Sequence, residues 1–277
     1  PYEYDAYIKS NLYPLVFSKN SEWFEDISGE KRTVTILKSS TPFLTGIDSK
    51  ILSGSAYMDN YKDNLFLITA IGIIGYGKLN DEGIIFKQIK NNIENFIGLN
   101  QFKKGKEYSV KDLKIIGDRI YVSFTEEKSE DCWTTGIIYS KLSYDELNFQ
   151  KLFSPNICLS PDHNLDTPNE FNGWESGGRI EFFDQNHILL TTGAYRLRFL
   201  PQKDESLYGK ILKININTGN FKVVSMGHRN PQGLHHDRHN NLILSTEHGP
   251  KGGDEINLIK LNEKNIPNYG WPIASYG

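Results

Sequence analysis

Charge of a single sign is missing from this chain. Its 31 lysines and arginines nearly balance 34 aspartates and glutamates, leaving a net charge of −3, too weak a field to select nucleic acid or an anionic membrane. No apolar run approaches the roughly 20 residues that a membrane-crossing helix requires, so no membrane span is expected. Cysteine is nearly absent, with Cys132 and Cys158 the whole complement. An even pair fits one disulfide in an oxidising compartment and equally fits two buried thiols. The first residue is Pro1 rather than methionine, so the true N-terminus is expected to have been removed, and a cleaved targeting signal is compatible with that.

What is present suffices for a core. The apolar fraction is 38% and the aromatic fraction 12% over 277 residues, which suits one large domain, taken as residues 1–277. Four segments, 64–70, 119–125, 187–193 and 241–247, are rich in β-branched or aromatic residues and follow an Asp or Asn turn. Each is followed by a second alternating segment, at 75–79, 136–142, 209–215 and 254–261, and Phe221–Ser225 reads as a third strand. Repeated units of three or four short antiparallel strands describe an all-β protein of the β-propeller type. The repeat is wide, which implies long inserted loops, the usual place for a propeller's site. Two short helices are also expected, at 1–15 and at 89–97, where Ile89, Ile93, Phe96 and Ile97 recur at helical spacing. Four to five blades are expected, and the last motif is turn-rich, so the chain reads as a fragment of a longer propeller or a shortened relative.

Chemically demanding residues gather between Gly227 and Ile259. Arg229 and Asn230 precede Pro231, which keeps Asn230 out of helix and presents a planar five-donor fork beside an amide, suited to a flat carboxylated ligand. The Gly249-Pro250 turn ends a strand and leaves carbonyl oxygens free for a hard cation such as Ca²⁺, with Asp254 and Glu255 near enough to add carboxylates. The plain alternatives are a loop-bracing arginine, a strand-ending turn and an exposed acidic turn. Five of the seven histidines, His228, His235, His236, His239 and His248, fall in the same region; the density suggests zinc, but the spacing matches no helical ligand pair. Glu175, beside Trp174 and just before a strand, is a candidate base if its surroundings are apolar, or else a solvated loop carboxylate.

Five motifs occur in order: Gly-Gly-Arg-Ile at 177–180, Gly-Lys-Ile-Leu-Lys-Ile at 209–214, Gly-His-Arg-Asn-Pro-Gln-Gly-Leu at 227–234, Thr-Glu-His-Gly-Pro-Lys-Gly-Gly-Asp-Glu-Ile-Asn at 246–257, and Asn-Tyr-Gly-Trp-Pro at 268–272. Together they closely resemble the soluble glucose/sorbosone dehydrogenase family, from about Trp174 to Gly277; earlier residues match only in blade-like patterning. The resemblance implies a six-bladed β-propeller, here incomplete at its C-terminus, and a periplasmic or secreted location. It implies pyrroloquinoline quinone (PQQ) bound with Ca²⁺, hydride transfer from C1 of an aldose, and an external electron acceptor. Carried onto this chain, Gly249 and Pro250 hold the ion by their carbonyls, Arg229 and Asn230 contact the quinone, with Arg229 polarising or orienting it as part of the catalytic set, and Asp254 and Glu255 match acidic positions associated with further Ca²⁺.

Two departures stand out. Glu175 occupies the position of the family's catalytic histidine, and Ala194 that of an acidic residue after the next strand. A carboxylate can serve as the base when desolvated, which leaves two expectations open: a PQQ-dependent sugar dehydrogenase with Glu175 as base, or a non-catalytic propeller that binds carbohydrate or protein through a degenerate site.

Overall fold

The computed structural model describes residues 17–25, 28–39, 46–47, 50–51, 56–78, 84, 86–97, 101, 104–105, 107–160, 171–261 and 265–274. Strand β1 (Phe17–Glu25) pairs with β2 (Lys31–Ser39), and the short β3 (Gly46–Ile47) with β4 (Lys50–Ile51), both antiparallel. After them come β5 (Ala56–Tyr61), β6 (Asn64–Thr69), β7 (Ile74–Lys78) and β8 (Lys87–Asn91), an up-and-down antiparallel run. The next run is β9 (Val110–Ile116), β10 (Arg119–Ser129) and β11 (Cys132–Lys141), after which β12 (Glu146–Leu147) joins β8 in parallel and β13 (Gln150–Phe153) completes the sheet on β11. A third sheet comprises β14 (Gly177–Asp184), β15 (His187–Thr192), β16 (Lys210–Asn215) and β17 (Phe221–Met226). The fourth comprises β18 (Pro231–Asp237), β19 (Leu242–Glu247) and β20 (Glu255–Lys260). All four segments of the first expected strand set fall on β6, β10, β15 and β19, the second strand of each sheet.

Alternation explains how the sheets stack. In β10, Ile120 and Val122 face the sheet before, packing with Phe66, Ile68 and Ile89, whereas Tyr121 between them faces the sheet after, packing with Ile180 and Ile188. The same split recurs in β15, where Ile188 and Leu190 turn one way and Leu189 the other, toward Ile243 and Ile259. Successive residues therefore bury against different neighbours, so a strand of this kind is apolar along both faces. Each fully buried aliphatic side chain contributes roughly 1.5–3 kcal/mol. The edge strands β5, β9, β14 and β18 pack one against the next, so the blade-like sheets share a common inner edge.

The expected helix at 89–97 is not formed. Ile89 lies in β8 opposite Ile74, and only Ile93–Asn95 turns, as a 3₁₀ helix. Two asparagines cause the break: Asn91 Oδ1 accepts from Ile93 N at 3.0 Å, and Asn92 exchanges hydrogen bonds with the Phe149 backbone. Such side chains compete with helical backbone pairing, and the four-residue apolar spacing instead serves one buried strand residue and one buried turn. The other expected helix, at 1–15, lies outside the described residues.

Cys132 and Cys158 form a disulfide, with Cα atoms 5.3 Å apart, resolving the two alternatives left open by the sequence. Beside it Trp133 and Leu159 exchange backbone hydrogen bonds of 2.7 Å in both directions. The bridge closes a loop across 26 residues, so replacing both cysteines with serine is expected to lower stability by about 3–4 kcal/mol on loop entropy alone. Denaturant midpoints of the double variant and of the reduced wild type, measured together, check this; a loss under 1 kcal/mol contradicts it.

Candidate functional site

The site is assembled by three chain segments at one end of the third and fourth sheets. Asn172 begins the first: its Oδ1 accepts from Trp174 N at 2.8 Å and caps a 3₁₀ turn, Gly173–Glu175, leading into β14. Beneath this turn Lys111 donates to Glu107 O at 2.6 Å and Gly173 O at 3.4 Å. Desolvation lowers the Lys111 pKa to about 8, against a smaller upward pull from Glu107. Protonated Lys111 therefore destabilises the fold fully below pH 8, by about 3 kcal/mol, and the penalty is relieved as pH rises toward 10.5. The stability difference between wild type and Lys111→Met is thus expected to move in favour of wild type by about 1–2 kcal/mol from pH 8 to 9.5. Urea denaturation at the two pH values checks the sign; a flat difference refutes it.

The second segment follows β15. Gly193 lies so close to Glu175 O that any Cβ there would collide with it, which is why this position takes glycine. Ala194 N donates to Arg229 O at 2.8 Å and Tyr195 N to Glu175 O at 2.9 Å, so one loop fixes the backbones of both other segments. Tyr195 and Arg196 sit at φ of 51° and 62°, a left-handed conformation that non-glycine residues keep only where surroundings enforce it. The enforcement is visible: Tyr195 is fully buried and its hydroxyl lies 2.8 Å from Thr135 Oγ1.

The third segment joins β17 to β18. Glu247, at the end of β19, accepts from Arg229 N at 2.7 Å and Asn230 N at 3.3 Å through Oε2, and from Asn257 Nδ2 at 2.6 Å through Oε1. His228 Nδ1 lies 3.0 Å from that same Oε1, and its Nε2 2.8 Å from Ser225 Oγ. Buried Glu247 thereby shapes the turn that presents Arg229. A further clamp ties the inner strands: Arg179 donates to Asp112 on β9 at 2.7 Å and to Gln232 O on β18 at 2.9 Å. Burial raises the Asp112 pKa to about 6, outweighing the opposing guanidinium of Arg179.

These segments bring together residues that the sequence separates. Arg229 Nη2 donates to Glu175 Oε1 at 2.6 Å, and its Nη1 donates to His248 O at 2.8 Å and Gly249 O at 3.1 Å. Its guanidinium lies 5.4 Å from the Trp271 ring centre. Arg196 Nε reaches the same Glu175 oxygen at 3.1 Å. Glu175 is buried, at 5% exposure, which departs from the reading of a solvated loop carboxylate. Oε2 accepts no hydrogen bond from the described residues.

Asn230 is buried rather than presented beside the fork, with Oδ1 accepting from Gly177 N at 3.2 Å. Pro250 O accepts from Gly253 N at 2.8 Å, and Asp254 Oδ1 accepts from Gly249 N at 3.1 Å. Glu255 Oε2 accepts from Asn257. Asp254 and Glu255 line a cleft of about 270 Å³ with Gln232, Thr246, Glu247 and His248. Each carbonyl of the Gly249-Pro250 turn accepts one hydrogen bond and retains a second lone pair, a donor type that suits a hard cation. The histidines disperse: His228 is buried against Glu247, His236 stacks on Phe183, and His248 is exposed. Among the described residues no three His, Cys, Asp or Glu side chains gather as a metal shell. Arg196 lies outside every motif, and Glu247, although it stands in the 246–257 motif, was given no role of its own by the sequence; the clue for Glu247 was its place as the last residue of β19.

Residues 116–277 match the family described as Glucose / Sorbosone dehydrogenase. The chain belongs to the glucose/sorbosone dehydrogenase family. The aldose sugar dehydrogenase YliI of Escherichia coli strain K12 is 30% identical over 172 residues, covering 57% of this chain and 43% of the relative. Quinoprotein glucose dehydrogenase B of Acinetobacter calcoaceticus is 39% identical over 90 residues, covering 28% and 18%. This glucose/sorbosone dehydrogenase chain thus spans less than half the length of the curated relatives it matches. In fold it is similar to the PQQ-bound form of an aldose sugar dehydrogenase from Streptomyces coelicolor, with a TM-score of 0.59 and 20% identity over 83% of this chain and 64% of that one. Among the described residues no helix is long and apolar enough to cross a membrane.

Proposed function

We propose that this chain is the core of a PQQ-dependent sugar dehydrogenase that oxidises the C1 hydroxyl of an aldose. The observation that carries the reading is convergence: Glu175, Arg229 and the Gly249 carbonyl, separated by 54 and 20 positions in the sequence, meet within hydrogen-bonding distance. Packing alone gives no reason to gather a candidate base, a cofactor-type arginine and a cation-type carbonyl at one point. The parent fold in this reading is a closed six-bladed propeller, of which the four sheets described are part.

When bound with Ca²⁺, PQQ supplies the two-electron acceptor for hydride. Gly249 and Pro250 would hold the ion through carbonyl oxygens, with Asp254 and Glu255 as carboxylates on the adjoining cleft, Arg229 flanking the cofactor and buried Asn230 bracing the segment behind it. Glu175 receives the C1 hydroxyl proton on Oε2, while Oε1 stays anchored by Arg229 and Arg196. Arg229 holds that carboxylate and the Gly249 carbonyl in fixed relation, so proton acceptor and cofactor floor are positioned together. An external electron acceptor would be required to take up the electrons that the bound quinone supplies room for. The disulfide supports a periplasmic or secreted location, because such bonds persist in oxidising compartments.

Titrating the full chain with PQQ in Ca²⁺ and following its absorbance, then dye reduction across an aldose panel, tests the reading. Micromolar binding and sugar-dependent reduction are expected. Absence of quinone binding overturns it, and saccharide binding without quinone would favour a carbohydrate-binding propeller.

A further inference from the structure

Arg196 is the member of the cluster that the reaction above leaves underused. Its Nε is anchored on Glu175 at 3.1 Å, yet its side chain remains 49% exposed. Among the described residues no partner engages its two terminal nitrogens, whereas Arg229 has both of its own engaged on Glu175, His248 O and Gly249 O. A guanidinium fixed at Nε by a buried carboxylate and open at both Nη atoms offers two parallel donors to a planar or tetrahedral anion.

The backbone holds it there at a cost. Tyr195 and Arg196 are consecutive non-glycine residues with positive φ, each expected to cost on the order of 1–3 kcal/mol. Hydrogen bonds hold the loop on both sides: Tyr195 N and Ala194 N donate to the backbones of the two site segments, Tyr195 O accepts from Asn172 N, and the Tyr195 hydroxyl bonds Thr135. Ala194 contributes no carboxylate, so the described cluster contains two guanidiniums against one carboxylate.

We infer that the sugar taken by this site carries an anionic substituent, a carboxylate or a phosphate, which Arg196 receives through its two terminal nitrogens. The inference rests on the sugar-oxidising reading of the site. Arg196 acts here as a specificity-determining residue through its terminal nitrogens, while its Nε anchors Oε1 of Glu175.

Equilibrium binding to the full chain tests this without turnover. Isothermal titration at fixed ionic strength compares glucose, glucuronate and glucose 6-phosphate, since screening alters any charge-based preference. At least one of the two anionic sugars is expected to bind tenfold or more tighter than glucose, the step that a charge-assisted hydrogen bond supplies; which one does so separates carboxylate from phosphate recognition. Arg196→Gln is expected to bring the anionic-to-neutral ratio to about one, and Arg196→Lys to retain part of it. Equal binding of all three sugars by the wild type overturns the inference. So does an Arg196→Gln variant that keeps the preference while binding PQQ tenfold more weakly, because Arg196 would then serve the cofactor's carboxylates. A wild type that shows the preference but binds no quinone leaves the inference standing and sinks the dehydrogenase reading instead.

Discussion

Replacing Glu247 with leucine is expected to destabilise the protein by about 3–5 kcal/mol and to abolish ligand binding at the site. Leucine matches glutamate in bulk, so the effect isolates hydrogen bonding from packing. Four donors converge on this carboxylate: the backbone N–H groups of Arg229 and Asn230, Asn257 Nδ2 and the His228 ring. Asn230, His228 and Asn257 are buried, so with leucine at 247 their donors find no water to replace the lost acceptor. Glu247→Gln keeps volume and one acceptor oxygen, and an intermediate loss is expected. Denaturant unfolding of the two variants gives the magnitudes. A leucine variant within 1 kcal/mol of wild type contradicts the role assigned to this residue, whatever its activity.

The second large effect concerns chemistry. Glu175→Gln is expected to reduce quinone-dependent turnover by about 10²–10⁴-fold, the range associated with a positioned general base. PQQ binding by the same variant is expected to stay measurable, because Arg229 remains tied to the His248 and Gly249 carbonyls. Single-turnover reduction of the bound quinone separates the proton-transfer step from acceptor oxidation. Turnover within tenfold of wild type would place the base elsewhere and leave Glu175 as an anchor for two arginines.

Much of the fold was legible because strands buried on both faces declare themselves by continuous β-branched sequence, as in β6, β10, β15 and β19. The false helix at 89–97 arose from the same apolar residues: Ile89 and Ile93 are four apart whether a helix repeats them or a strand hands over to a turn. Only the partners of Asn91 and Asn92 decide between the two, and Phe149 is far away in sequence. In the site, glycine, proline and arginine motifs marked the 227–259 segment, and Glu175 stood out by its place before Gly-Gly-Arg. What was illegible was connection. The sequence offers no sign that Arg196 would turn through two left-handed residues to meet Glu175, nor that Glu247 would organise the arginine turn, because both depend on which loops and strand ends the fold brings together. The disulfide was undecidable for the same reason, since the proximity of Cys132 and Cys158 follows from how residue 159 returns to β11.

Gly193 separates frame from cargo in this site. Its missing side chain lets the loop after β15 lie directly on the Glu175 backbone, and the polar groups hang from that contact without forming it. The exposed side chain at 196 is thus a fitting on a fixed mount, open to exchange in laboratory evolution of new substrate ranges. Any side chain at 193 would pry the mount apart and forfeit every fitting at once.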